Sequence, residues 1–197
     1  MSEVCIGIDQ SYEDTGISVC IDGSVKVMGH IYLGKLKSKT EKRNYLKLKL
    51  EKVIKKALNY GSVTCIIERI RLRSEGFLNI DYIKSIGALN AVIVDTCAAY
   101  GVSVYSVDTR CWKAQIIGTS KGSSNKYGVP ENKWPTIKYF LQNGKERCII
   151  EEVTGRKTKG TFERNGKKYR YNDNIADSGA ISLFWFKGDK NKLKVEK

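Results

Sequence analysis

The chain has 197 residues, with 35 Lys plus Arg against 21 Asp plus Glu and a net charge of +14. That length supports one domain with a real core and is short for two. A positive excess of this size points to a polyanionic partner, either nucleic acid or an anionic membrane surface. No apolar run approaches the roughly 20 residues of a membrane-spanning helix. The start, MSEVCIGID, enters a strand directly, without the pattern of a signal peptide. We therefore expect a cytoplasmic protein with nucleic acid, and no membrane, as its partner. Cys5, Cys20, Cys65, Cys97, Cys111 and Cys148 form no CxxC pair, and His30 is the single histidine. Zinc-ligand spacing is absent, and reduced thiols are expected.

In chain order, Val4 to Ile8 is a short apolar run closing on Asp9. Thr15 to Ile21 follows, and Asp22-Gly23 turns the chain into Val25 to Tyr32, so the first three strands read as an antiparallel meander. From Glu41 to Tyr60 the apolar period becomes helical, with Leu46, Leu50, Val53, Ile54, Ala57 and Leu58 on one face. Val63 to Ile67 is the fourth strand and closes on Glu68. Leu78 to Tyr100 reads as a helix, Val102 to Val107 as a fifth strand, and Cys111 to Ile117 as a short helix capped by Asp108. Residues 118–133 read as a loop, and Pro135 opens a helix to Leu141. A basic stretch at about 145–172 contains the hairpin signal Asn165-Gly166. A last helix runs from Asp173 to Lys187, and residues 188–197 read as a basic, frayed tail. The order predicts one α/β layer sandwich over 1–187, with the basic hairpin as an insertion.

Three acidic positions stand out by placement. Asp9 and Glu68 each end a strand. If those strands are parallel neighbours, both carboxylates leave the same sheet edge, where open α/β sheets place ligands. At the start of the last helix, in NDNIADSGAI, Asp173, Asn174 and Asp177 lie near one helical face. Together these five residues make an oxygen-rich set of the kind Mg²⁺ or Mn²⁺ takes, and two ions there would suit phosphodiester cleavage. Arg69, Arg71 and Arg73, directly after Glu68, suit phosphate contacts. The aromatics of the hairpin, Phe162, Tyr169 and Tyr171, are candidates for stacking on DNA bases.

These motifs, taken as a set, resemble the RuvC-like Holliday junction resolvases of the ribonuclease H-like superfamily, the phage-encoded enzymes in particular. GIDQSYEDTGISV resembles their first motif, IIERI the second, IGALNAVIVDTCAAYGVSVYSVDTRCWKAQIIG the third region, and DNIADSGAI the last. The resemblance implies a mixed five-stranded sheet, three strands antiparallel and then two parallel, flanked by helices. It implies a homodimer packed on the flank with Ser85, Gly87, Ala88 and Ala91, and cleavage of branched DNA with two Mg²⁺ or Mn²⁺ ions and no nucleotide cofactor, in a bacterial cytoplasm or infected host. Asp9, Glu68 and Asp177 match the metal-binding carboxylates, and Lys113 and Lys133, with Lys121 competing for the second place, match lysines near the scissile phosphate. The fourth carboxylate position is Asn174, a departure. Either its amide oxygen ligates, or Asp173 reaches in from one residue earlier, or position 174 carries an inactivating Asp-to-Asn change. A fold-retaining DNA-binding protein without cleavage, and a flap or RNA–DNA hybrid nuclease, are the alternatives.

Overall fold

The computed structural model describes residues 1–70, 80–119, 121–125, 127–153 and 161–196. A six-stranded sheet has the order β3-β2-β1-β4-β5-β9. Its members are β1 (Ser2–Asp9), β2 (Asp14–Ile21), β3 (Ser24–Tyr32), β4 (Gly61–Glu68), β5 (Ser103–Val107) and β9 (Lys194–Glu196). The first three strands pair antiparallel, and β1, β4 and β5 are parallel. The expected five-strand order is present, with one strand more. The tail expected to fray instead forms a 3₁₀ turn, Lys190–Lys192, and β9, which pairs antiparallel with β5. β9 is three residues long and carries two charges, so neither alternation nor β-propensity marks it in advance.

Two helices cover one face of the sheet. In α1 (Lys39–Leu58), Leu46, Leu50, Ile54 and Ala57 are buried, and the helix starts two residues earlier than its apolar pattern, at a Ser38/Glu41 capping box. In α2 (Ile80–Ala98), Ile86, Leu89, Ile93 and Cys97 join the same core. The opposite face holds α3 (Thr109–Trp112) with a π-helical continuation (Lys113–Ile117), α4 (Trp134–Gln142), α5 (Glu146–Ile149) and α6 (Asp173–Lys187). The six cysteines are free thiols.

The position of α6 follows from two small residues. A side chain at Gly7 in β1 would meet the Ser178 carbonyl at 2.3 Å, and one at Gly16 in β2 would meet the Asn174 carbonyl at 1.9 Å. Glycine there lets the helix lie directly on the strands, and the Ser18 hydroxyl donates to the Ser178 carbonyl at 2.7 Å. The first turn of α6 is thereby held over the end of β1.

The described residues of the basic stretch form regular structure. A second sheet, β6-β8-β7, comprises β6 (Ile150–Glu152), β7 (Thr161–Arg164) and β8 (Lys167–Tyr171). The turns at Asp22-Gly23 and Asn165-Gly166 have positive φ at both residues, as primed hairpin turns require. The hairpin aromatics, read from sequence either as stacking on DNA or as part of a solubilising excursion, pack on one another and on Tyr127 and Trp134. Tyr127, Trp134, Phe162 and Tyr171 form a cluster, with ring centroids 4.9 Å apart for Phe162–Tyr171 and 5.4 Å for both Tyr127–Trp134 and Tyr127–Tyr171, and Tyr169 lies beside Phe162. Burying these rings removes more apolar area from water than a solvent-facing hairpin would. Arg164, Lys167 and Arg170 of the hairpin pair with Glu146, Glu152 and Glu151, which offsets much of its positive charge.

Candidate active site

The parallel register of β1 and β4, with Ile8 opposite Ile67, brings Asp9 and Glu68 to adjacent strand ends. Gln10 extends the pairing: its side-chain amide donates to the Glu68 carbonyl and accepts from the Glu68 N–H, as a peptide would. The Glu68 carboxylate is oriented by the Thr109 hydroxyl at 2.6 Å and the Trp112 indole N–H at 3.3 Å. Trp112 is fully buried, so this orientation is rigid. Sequence reasoning missed Gln10, Thr109 and Trp112; the Asp108 N-cap, which starts a helix directly beside Glu68, was the signal for the last two.

Asp177 enters from α6, buried, and its Oδ1 has no hydrogen-bond partner. Burial above all pushes its carboxyl up to about 7, with Lys113 and the nearby Thr136 hydroxyl opposing the rise and Asp173 and Glu68 adding to it. Burial also drives Asp9 well above the usual carboxylate range, with Asp177, Glu68 and Asp173 adding to the rise and Lys133 opposing it. The four carboxylates therefore share one electrostatic site.

Lys133 forms an ion pair with Asp173. Burial opposes its charge, but Asp173, Asp177 and Asp9 outweigh that and hold it protonated. Lys113 lies close enough to act on Asp177, with its ammonium on the Asn132 carbonyl at 3.2 Å. Lys121 is exposed on the loop. Of the two lysines competing for one role, Lys133 is the one at the carboxylates.

Asn174 points elsewhere. Its side-chain amide donates to the Asp14 carbonyl in β2. Asp173 joins the charged cluster through its effect on Asp9 and Asp177. Arg69 is also engaged structurally, donating to the Ser106 hydroxyl and carbonyl and to the Lys192 carbonyl, which ties β4 to β5 and the C-terminal segment. Arg71 and Arg73 lie outside the described residues.

The donor set suits a hard divalent cation. All four groups are carboxylates, Asp177 Oδ1 is a buried acceptor lacking a donor, and an ammonium already sits among Asp173, Asp177 and Asp9. The four are spread rather than tightly converged. Among the described residues, the acidic, histidine and cysteine side chains with donor atoms all within 4.8 Å of one another are Asp14, His30 and Glu151, a separate group at the edge of α6. Mutual repulsion, with Glu68 drawn to Thr109 and Asp173 to Lys133, accounts for the wider spacing.

No protein-family model matches the chain, and no curated protein sequence does. Solved structures do match. Thermus thermophilus RuvC bound to a Holliday junction substrate superposes with a TM-score of 0.58 at 11% identity, covering 98% of this chain and 99% of that one. A second Thermus thermophilus RuvC structure gives 0.57 at 13% identity, with the same coverage. The yeast mitochondrial Holliday junction resolvase Ydc2 gives 0.52 at 13% identity, covering 92% of this chain and 76% of that one. With the mixed sheet, its strand order and near-complete coverage in agreement, the chain has the ribonuclease H-like fold of the RuvC-type Holliday junction resolvases.

Proposed function

We propose that this protein is a divalent-metal-dependent endonuclease that cleaves branched DNA, four-way junctions foremost. The observation that carries this reading is the gathering of Asp9, Glu68, Asp173 and Asp177 at one sheet edge beneath α6, with Lys113 and Lys133 beside them. Asp9, Glu68, Asp177 and Asp173 would hold Mg²⁺ or Mn²⁺. Two such ions supply an activated water and stabilise the leaving 3′ oxygen of an in-line displacement. Thr109 and Trp112 keep Glu68 from rotating as charge builds at the site. Lys133 neutralises Asp173, and its ammonium would be within reach of a phosphate oxygen if a cation took over that charge. Cleavage of a labelled four-way junction with Mg²⁺ or Mn²⁺, compared with the same reaction in EDTA, tests this directly.

The net charge of +14 supports phosphate-dominated binding. Junction affinity is expected to fall by about 1,000-fold between 50 and 200 mM salt if some six phosphates are neutralised. A flat response in a filter-binding titration would separate the basic surface from DNA.

Asn174 is read here as an anchor and Asp173 as the fourth acidic ligand. Asp173→Ala is accordingly expected to reduce single-turnover cleavage by at least about 100-fold, beyond the 10- to 100-fold lost with groups that only orient metal ligands. Asn174→Asp, which would set a carboxylate against the Asp14 carbonyl, is expected to give no gain. An increase of orders of magnitude in Asn174→Asp would instead identify position 174 as the missing ligand.

The exposed flank of α2 supports a homodimer. Ile80 and Tyr82 are exposed, and a side chain at Gly87 would meet nothing within 4 Å, although Ser85 is engaged by Lys39 of α1. Six free thiols and the junction substrate suit a bacterial cytoplasm, that of a phage-infected host included. One observation favours a second reading. The Lys133–Asp173 ion pair sets an ammonium beside the carboxylates, which suits a protein of the same fold that binds junctions without cutting them.

A further inference from the structure

Asp14, His30 and Glu151 have donor atoms within 4.8 Å of one another, a spacing a cation could bridge. The space between them is occupied, however. The Asn172 side-chain nitrogen lies 2.7 Å from Asp14 Oδ2, 3.2 Å from Glu151 Oε2 and 3.5 Å from His30 Nδ1. Asn172 is the N-cap of α6, and its Oδ1 accepts from the Ile175 N–H at 3.2 Å. One amide thus caps the helix with its oxygen and is gripped by carboxylates from β2 and β6 with its nitrogen. Two residues on, Asn174 donates to the main-chain carbonyl of the same Asp14. Asp173 is bracketed by two asparagines that are both fastened to Asp14.

We propose that Asn172, gripped by Asp14 and Glu151 and closed by His30, is a positioning residue that sets the first turn of α6 and so the placement of Asp173 and Asp177 over Asp9. The proposal rests on the endonuclease reading for its catalytic consequence but not for the geometry itself. A helix start carrying two acidic groups beside further carboxylates is pushed outward by like charge, and the grip opposes that push. His30 joins its strand, β3, to the grip through Nδ1 on Asp14 Oδ1 at 2.5 Å and Nε2 3.9 Å from Glu151 Oε2. The hydrogen bond to Asp14 raises the imidazole pKa above its usual value. Burial opposes that rise, the Asp14 and Glu151 charges add to it, and Arg170, itself paired with Glu151, opposes it. With a raised folded-state value, the imidazolium contributes fully to the grip below 6.5 and is lost only as pH climbs through that raised value, above 6.5.

The test uses Asn172→Ser, which keeps a capping oxygen but loses the gripped nitrogen, and His30→Gln, which keeps a neutral polar group on the half-exposed rim and cannot take up the charge. Amide hydrogen exchange at 174–177, Mg²⁺-dependent kcat and junction Kd are read in parallel. We expect Asn172→Ser to lower kcat by about 10- to 100-fold, as for other groups that orient metal ligands, with junction Kd unchanged and faster exchange confined to the α6 start. Wild-type protection there should fall as pH rises through the raised imidazole value, above 6.5, and His30→Gln should flatten that dependence. Unchanged kcat and exchange in Asn172→Ser overturns the proposal. If Asn172→Ser does not fold, an unaltered pH profile of exchange in His30→Gln overturns it. Stoichiometric Zn²⁺ or Mn²⁺ binding that disappears in His30→Gln also overturns it, because the ion would occupy the amide's place. A wild type that cleaves nothing refutes the endonuclease reading, and the exchange measurements still decide the grip.

Discussion

Asp9→Asn and Glu68→Gln are each expected to reduce single-turnover junction cleavage by at least about 100-fold while leaving junction affinity nearly unchanged. Loss of groups that merely orient metal ligands costs about 10- to 100-fold, so removing a charged ligand should exceed that range. A 100-fold loss is about 2.7 kcal/mol of transition-state stabilisation. Asp9 sits where Asp177, Glu68 and Asp173 all act on it, and Glu68 is fixed by two side-chain donors, so both are built into the site. Affinity should persist because phosphate contacts depend on the surrounding lysines and arginines. Gel-shift titration with Ca²⁺ alongside cleavage with Mg²⁺ separates the two properties. Robust cleavage by both variants would place the chemistry elsewhere.

Asp177→Asn should make the metal-free protein more stable at pH 8 while abolishing cleavage. Burial holds the Asp177 carboxyl at about 7 in the folded chain, against an ordinary 3.8. Its folded value is raised, so the linked stability is fully present below pH 3.8 and is lost as pH rises through about 7. The difference corresponds to roughly 4 kcal/mol at pH 8. Even a quarter of that raises Tm by about 2–4 °C in a chain of this size. In EDTA the variant should therefore melt higher than wild type at pH 8 and near it at pH 4.5. Added Mg²⁺ should stabilise the wild type more than the variant, since binding to the folded state alone stabilises it. A variant that melts lower at pH 8 would show that Asp177 is held by contacts the charge argument omits.

Much of the site could be read before the fold was known, because its parts are local. Apolar runs closing on Asp9 and Glu68 mark strand ends by themselves, and the spacing of Asp173 and Asp177 marks a helix face. The parallel pairing that joins the two strand ends is a long-range fact, and it matched the expectation. What stayed hidden depends on contacts between distant segments. Asp14, His30, Glu151 and Asn172 come from β2, β3, β6 and the cap of α6, and no single stretch displays them together. The aromatics of the hairpin were visible, but their partners Tyr127 and Trp134 come from a separate loop and helix, so their mutual packing was not. Arg69 follows Glu68 in a basic run, and only the fold directs it to the carbonyls of Ser106 and Lys192. The two neighbouring candidates also part company only in the fold: the Asn174 amide nitrogen turns to β2, and Asp173 turns to Lys133.

The most direct measurement is single-turnover cleavage of a symmetric four-way junction, a flap, an RNA–DNA hybrid and a linear duplex at equal concentration, each with Mg²⁺, Mn²⁺ or EDTA. The account predicts metal-dependent cuts in the junction, slower cutting of the flap, and an intact hybrid and duplex in every condition. Binding to the junction without cleavage under either metal, or preferential cutting of the hybrid, would contradict it.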